Sequence, residues 1–349
     1  MGNTPRQNQD CVRVRFFIFL WFISTALPHS GLLAAHQTVR EKKPLLGRVM
    51  VRILVTGSNG LLGNRLIEFL RARTDVELMA TSIGPNRHIE LEGYHYVPMD
   101  VMSEQEVLEV CGRYRPDAII HTAALTQVDM AEQQPLRCRR LNVGAVANMV
   151  GVCARFGIHL VHLSTDFVFD GLSGPYAETD PVSPISVYGR SKAAAELLLK
   201  DSEISWAVVR TILVYGHEVP AGRSNIVSWA VKLLQSGDEV RVVNDQIRMP
   251  TFVGDLAQAC VEIAMKRERG IFHISGQDEV SIVELVGRVA QHLGLSMEKV
   301  QPVSSSDLPG AELRPRRTGF LLDKARSKIN YYPIPLDQGL TAVLGPHVH

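Results

Sequence analysis

The chain has 349 residues, 46% of them hydrophobic, and a formal net charge of +1. That size and balance fit one large or two modest globular domains and argue against a nucleic-acid or anionic-membrane partner, either of which favours a basic surface. The five cysteines are scattered and form no C-x-x-C pair, which speaks against a disulfide framework or a zinc site and fits reduced thiols. Arg6, Arg13 and Arg15 precede FFIFLWFISTAL at residues 16–27, and small residues follow at 31–35. This resembles a secretory signal, and the apolar run is shorter than the about 20 residues of a membrane span. Met50 runs directly into VRILVTG, a natural start for a domain that opens on a strand. Residues 1–49 are therefore expected to be an N-terminal extension, either signal-like or upstream of the true start. Stable membrane contact is expected only if they are retained as an anchor.

From Met50 onward, strands and helices alternate. Short apolar or β-branched runs predict strands at 52–56, 77–81, 94–99, 118–122, 159–164 and 206–211. Helical spacing occupies 61–72, 104–114 with Ser103 as N-cap, 131–156 with a start frayed near Pro135, and 188–200. After about residue 216 the rhythm loosens into helices at 225–235, 254–265 and 281–293, strands at 240–243 and 271–274, and a polar, proline-rich tail. Alternation of this kind implies parallel βαβ units covered on both faces. The expected fold is α/β: a doubly wound, Rossmann-type parallel sheet over 50–216 with a smaller mixed α/β substrate lobe over 217–349, partly interleaved with the first domain.

Gly57, Gly60 and Gly63 in VTGSNGLLG follow the first strand and open the first helix. Glycines there allow a tight turn and close backbone approach to a pyrophosphate at a helix N-terminus. A dinucleotide site looks for an acid about 20 residues on. The second strand instead ends at Thr81 and Ser82, with Arg87 nearby, which suits the 2′-phosphate of NADPH, while NADH stays open. Asp100 follows the third strand, where its carboxylate can accept from an adenine amino group. Ala123 and Ala124 end the fourth with side chains small enough for a cofactor to pass.

Tyr188 and Lys192 lie four apart on one predicted helix, hence on one face. A neighbouring ammonium is expected to lower the phenol's pKa, so that Tyr188 protonates a carbonyl oxygen as hydride arrives at its carbon. Lys192 is also placed to hold the nicotinamide ribose. In LSTDFVFDG at 163–171, Thr165 or Ser164 would polarise the same carbonyl from the carboxyl end of the fifth strand.

The chain from Met50 resembles an extended short-chain dehydrogenase/reductase, and within that group it is most similar to the dTDP-4-dehydrorhamnose reductases. The motifs are VTGSNGLLG, HTAALTQVDMAE, LSTDFVFDG, PISVYGRSK, RTILVYG and VVNDQIRMPT. The resemblance implies NAD(P)H-dependent reduction of the 4-keto group of a nucleotide-activated deoxysugar, giving dTDP-L-rhamnose. It implies Thr165, Tyr188 and Lys192 as the catalytic trio. Gly57, Asn59, Gly60, Leu61, Leu62, Asp100, Val101, Ala123, Ala124, Tyr188 and Lys192 fall at cofactor positions, to which Ser82 and Arg87 are added. Asn142 reads either as a contributor to proton relay or as a helix-internal polar contact. Ser164, Asp166, Asn225 and Arg248 are expected at the substrate. Leu213 and Arg248 depart from the family pattern and bear on the sugar, Arg248 as a diphosphate contact or a change to the pocket. Arg316 and Arg317 are candidates for nucleotide phosphate. Phe167 stands where the similar dehydratases carry a glutamate, which leaves no acidic pair for eliminating water. Alternatives are a nucleotide-sugar epimerase or dehydratase and a cofactor-binding regulatory subunit like the methionine adenosyltransferase beta subunit. A cytoplasmic protein, a possible homodimer and no metal ligand set complete the expectations.

Overall fold

The computed structural model describes residues 50–217, 219 and 224–346. The expectations for residues 1–49 lie outside the described residues. The strands are β1 (Val51–Thr56), β2 (Val76–Ser82), β3 (His95–Pro98), β4 (Ala118–His121), β5 (His159–Thr165), β6 (Trp206–Thr211), β7 (Val214–Tyr215), β8 (Val240–Val243), β9 (Ile247–Arg248), β10 (Thr251–Phe252), β11 (Gly270–Ile274), β12 (Val280–Ser281) and β13 (Val300–Val303). The helices are α1 (Leu61–Arg71), α2 (Glu104–Tyr114), α3 (Val128–Gln133), α4 (Pro135–Arg139), α5 (Ala145–Phe156), α6 (Val187–Lys200), α7 (Ile226–Ser236), α8 (Val253–Lys266), α9 (Ile282–Leu293), α10 (Asp323–Ile329) and α11 (Leu336–Leu344).

Seven strands form one sheet in the order β11-β6-β5-β4-β1-β2-β3, every pair parallel. Alternation along β1 sends Ile53 and Val55 to one face and Leu54 to the other. The first face is covered by α1 and α8 through Leu66, Ile67, Leu256 and Ile263. The second is covered by α2, α5 and α6 through Val107, Met149, Val152 and Leu199. Covering both faces explains why β1 and β4 read as near-continuous apolar runs. A separate core joins Tyr215 to α7, α9 and α11 through Val227, Leu285, Val289 and Leu340.

The doubly wound sheet is as expected, and Ser103 caps α2 by accepting from the Glu106 N–H. The single helix expected over 131–156 is instead α3, α4, a π-helical turn (Arg140–Gly144) and α5. Pro135 restarts the helix, since it lacks an N–H and fits a first turn. The π turn carries Asn142 inward, where its amide bonds both backbone groups of Leu125 (2.8 and 3.0 Å) and the Ser191 hydroxyl (2.9 Å). The first residues of the polar, proline-rich tail, Pro302 and Val303, complete β13, which pairs in parallel with β8.

Candidate active site

The carboxyl edge of the central sheet gathers the glycine loop, the end of β4 and the end of β5. Strand order reverses around β1 and β4, which is where doubly wound sheets bind ligands. Gly57 has φ +69°, and a Cβ there would stand 2.7 Å from the Ala123 nitrogen. A Cβ on Gly63 would stand 2.4 Å from the Gly57 carbonyl oxygen. Both positions therefore need glycine, one for backbone conformation and one for close packing of α1 on the loop. Gly60 caps α1 without a side-chain hydrogen bond, and no acidic residue occupies the first turn. The first N–H groups of α1 thus suit an anion. Asn59 donates to the Pro85 carbonyl and accepts from the Arg87 N–H, both at 3.0 Å. This draws the loop after β2, which carries Arg87, against the glycine loop. Asp100 accepts from the Met102 N–H at 2.9 Å, and Val101 is buried beside it.

β5 and α6 bring Thr165 and Tyr188 together. A Cβ on Gly189 would stand 2.1 Å from the Phe167 carbonyl oxygen, so the bare glycine lets the start of α6 reach the turn after β5. Ser186 caps α6 through the Gly189 N–H. The Phe167 ring meets the Tyr188 ring edge to face at 5.7 Å between centroids. Burial drives the Tyr188 phenol well above its ordinary pKa, a hydrogen bond with Thr165 pulls the other way, and Asp166 and Cys138 push it further up. The Thr165 hydroxyl also contacts Asp166 at 3.1 Å and accepts from the Phe167 N–H at 3.2 Å.

Lys192 is buried, and its Nζ lies 3.2 Å from His162 Nε2 on β5. Burial lowers its pKa to about 8, with Glu196 and Cys138 opposing. The pull of Lys192 on the phenol expected from their spacing is replaced by this arrangement. Tyr188 answers to its burial and to Thr165, and the ammonium is held against the sheet.

Beside Asp166 and Phe167 opens a cleft of about 500 Å³, walled on its far side by Trp229, Arg241, Ile282 and Arg314. Residues 51–347 match the RmlD substrate binding domain family. The chain belongs to this family. It is 36% identical over 269 residues to the dTDP-4-keto-6-deoxy-D-glucose reductase of Streptomyces niveus, covering 76% of this chain and 87% of that one. It is 30% identical over 286 residues to the methionine adenosyltransferase 2 subunit beta of Rattus norvegicus, covering 80% and 82%. The structure of a dTDP-4-dehydrorhamnose reductase from Bacillus anthracis in complex with NADP superposes with a TM-score of 0.72 at 28% identity, covering 84% of this chain and 99% of that one.

In this RmlD-family chain several expected substrate contacts are engaged elsewhere. Ser164 points to the opposite face of β5 from Thr165 and donates to Glu196 at 2.6 Å. Asn225 caps α7 through the Val227 and Ser228 N–H groups and donates to the Gly216 carbonyl at 2.8 Å. Arg248 does line the cleft, yet its guanidinium donates to the carbonyls of Ile247 (2.8 Å), Pro315 (2.6 Å) and Arg316 (3.2 Å). Its Nε sits 3.8 Å from Asp166. Asp166 also accepts from Thr318 at 2.5 Å, and burial raises its pKa against the pull of Arg248. Asp166 and Arg248 thus brace the cleft wall rather than offering free charges to a ligand.

Of the tail cations, Arg317 pairs with Glu279 at 2.6 and 3.0 Å, and neither it nor Arg316 lines the cleft. The tail cation that does is Arg314, paired with Asp129 at 2.9 Å. Trp229 and Arg241 line the cleft as well, and the spacing along α7 and β8 does not mark which side faces it. Among the described residues no group of His, Cys, Asp and Glu could hold a metal ion, and no helix is long and apolar enough to cross a membrane.

Proposed function

We propose that the protein is an NAD(P)H-dependent oxidoreductase that reduces the 4-keto group of a nucleotide-activated deoxysugar, dTDP-4-dehydrorhamnose to dTDP-L-rhamnose above all. The observation that carries this is that β5 and α6 bring Thr165 and Tyr188 together against Asp166 and Phe167, which line a cleft of about 500 Å³. The glycine loop fits a dinucleotide pyrophosphate, because Gly57 and Gly63 let β1, the end of β4 and α1 close on one another and the first turn of α1 offers its N–H groups without an acidic side chain. Residues 50–216 are assigned to the cofactor and 217–349 to the sugar nucleotide. NADPH is the cofactor, with NADH also admitted, and Gly57, Asn59, Gly60, Leu61, Leu62, Ser82, Arg87, Asp100, Val101, Ala123 and Ala124 are assigned to holding it.

When bound, the cofactor supplies the hydride. Tyr188, kept protonated by its burial, gives its proton to the carbonyl oxygen as charge develops there, and Thr165 donates a second hydrogen bond to that oxygen. Lys192 places positive charge behind the cofactor ribose. Phe167 adds no proton donor or acceptor, so the site suits reduction and not elimination. A cytoplasmic homodimer is the expected setting, since NADPH is regenerated in the cytoplasm; gel filtration checks the dimer.

Purified protein is expected to consume NADPH only with a 4-keto sugar nucleotide, and Tyr188→Phe to lose about a thousandfold in kcat. Equal consumption by the variant would overturn the mechanism. The likeness to the methionine adenosyltransferase 2 subunit beta supports a second reading, a regulatory subunit without turnover. On that reading the Tyr188→Phe protein keeps its biological effect and co-purifies with a synthetase.

A further inference from the structure

Three polar side chains stand at one level across the middle of the central sheet. Thr56 on β1 is in register with His121 on β4, and His121 with His162 on β5. All three are buried, and the residues just before them (Val55, Ile120 and Val161) are buried and apolar. Thr56 Oγ1 and His121 Nδ1 are 2.7 Å apart. The two imidazoles stack at 5.5 Å between centroids and 23° between planes. His162 Nε2 then meets Lys192 Nζ at 3.2 Å. The row thus runs from the strand that carries the glycine loop to the lysine on α6.

Packing does not account for this row. His121 Nε2 and His162 Nδ1 have no hydrogen-bond partner, and apolar side chains would fill the same space without burying unpaired polar atoms. What the row supplies is an acceptor for Lys192. Glu196 lies one turn further along α6, but its carboxylate is engaged by Arg210 at 2.9 and 2.7 Å and by Ser164 at 2.6 Å. Burial holds His162 neutral by pushing its pKa well down, with Lys192 and His121 adding to the push. A neutral imidazole fixes the direction of Nζ without cancelling its charge, as a carboxylate would.

We propose that His162 is the positioning residue for Lys192: its Nε2 accepts one ammonium N–H and leaves the other two for the cofactor, while His121, pinned by Thr56, holds the His162 ring in place. This rests on the NAD(P)H reading of the site. The groups facing Lys192 are His162 and His121 from the sheet, Glu196 from α6 and Cys138 from α4. An acceptor stabilises the charged form of an amine, so its loss lowers the amine's pKa.

The test is a fluorescence titration of NADPH onto the full chain from neutral to alkaline pH, for the wild type, His162→Leu and His162→Gln. Wild-type affinity is expected to fall as Lys192 deprotonates near pH 8. His162→Leu is expected to bind about tenfold more weakly at neutral pH, with the midpoint about one pH unit lower. His162→Gln, whose amide oxygen accepts a hydrogen bond, is expected to restore both. A leucine variant that matches the wild type in affinity and midpoint overturns the proposal, and so does a glutamine variant that fails as the leucine variant does. Wild-type protein that binds NADPH but reduces no 4-keto sugar nucleotide would remove the reductase reading and leave this one standing.

Discussion

Ser164 and Thr165 are neighbours on β5, yet their hydroxyls enter surroundings of opposite kinds. Ser164 joins a sealed cluster in which Glu196 and Arg210 form a bidentate pair, each side chain no more than 2% exposed. Arg210 continues to His273 at 3.2 Å and lies over the Phe169 ring at 5.0 Å. Thr165 joins Tyr188 and Asp166 beside an open cleft. In the first cluster every charge has its partner, and nothing remains to act on a ligand. In the second, burial holds the Tyr188 phenol in its proton-bearing form, and its neighbours Asp166 and Phe167 line space that a substrate can enter. Both sets of side chains come from β5 and α6, so it is the two-residue period of the strand that separates structure from chemistry.

The largest expected effect that sharpens this contrast comes from Glu196→Ala. It leaves Arg210 buried without its counter-charge and is expected to destabilise the fold by about 3–5 kcal/mol in a denaturant titration. Thr165→Val is expected to do the reverse, costing about a hundredfold in kcat while leaving the denaturation midpoint near that of the wild type. Alkaline pH separates the two properties in a single protein. Burial lowers the pKa of Lys192 to about 8 from its ordinary 10.5, so between those values the native state carries fewer protons than the unfolded state. Stability from this group therefore rises by about 1 kcal/mol per pH unit across that window, while activity, which needs the ammonium, falls. The smallest effect is expected from Ser164→Ala, a loss of about 1 kcal/mol with kcat unchanged, because Arg210 still holds Glu196 at two points. A large loss of kcat in Ser164→Ala would break the comparison.

Much of the fold is readable in the sequence because its signals are local. Short apolar runs such as RILVT and AIIHT fix strands, and Gly57 and Gly63 sit where only a missing Cβ fits. That Thr165 ends a strand and that Tyr188 and Lys192 share the start of a helix is readable for the same reason. The two-residue strands β7, β9, β10 and β12 carry no such signal, because their pairing is made by chain segments far apart in sequence. The tail shows the limit most plainly. Arg314, Arg316 and Arg317 look alike in LRPRRTGF, and only the bond from the Ile247 N–H to the Arg316 carbonyl and the pairing of Arg317 with Glu279 decide that Arg314 faces the cleft. His162 reads as one polar residue in an apolar strand until the register sets it beside His121.

The 2.5 Å bond between Thr318 and Asp166 spans 152 residues of chain. Contacts of such separation form late, because a long loop must close before they contribute. Local βα units can take shape as the chain grows, but the wall of the cleft stays unfinished until the segment at Pro315–Thr318 docks on Arg248 and Asp166. During synthesis the glycine loop can therefore be ready for a nucleotide well before the keto group has anywhere to sit. A molecule released short of Thr318 would lack a finished cleft wall and would also miss Phe320, Leu322 and Ile329 from the core beneath the central sheet.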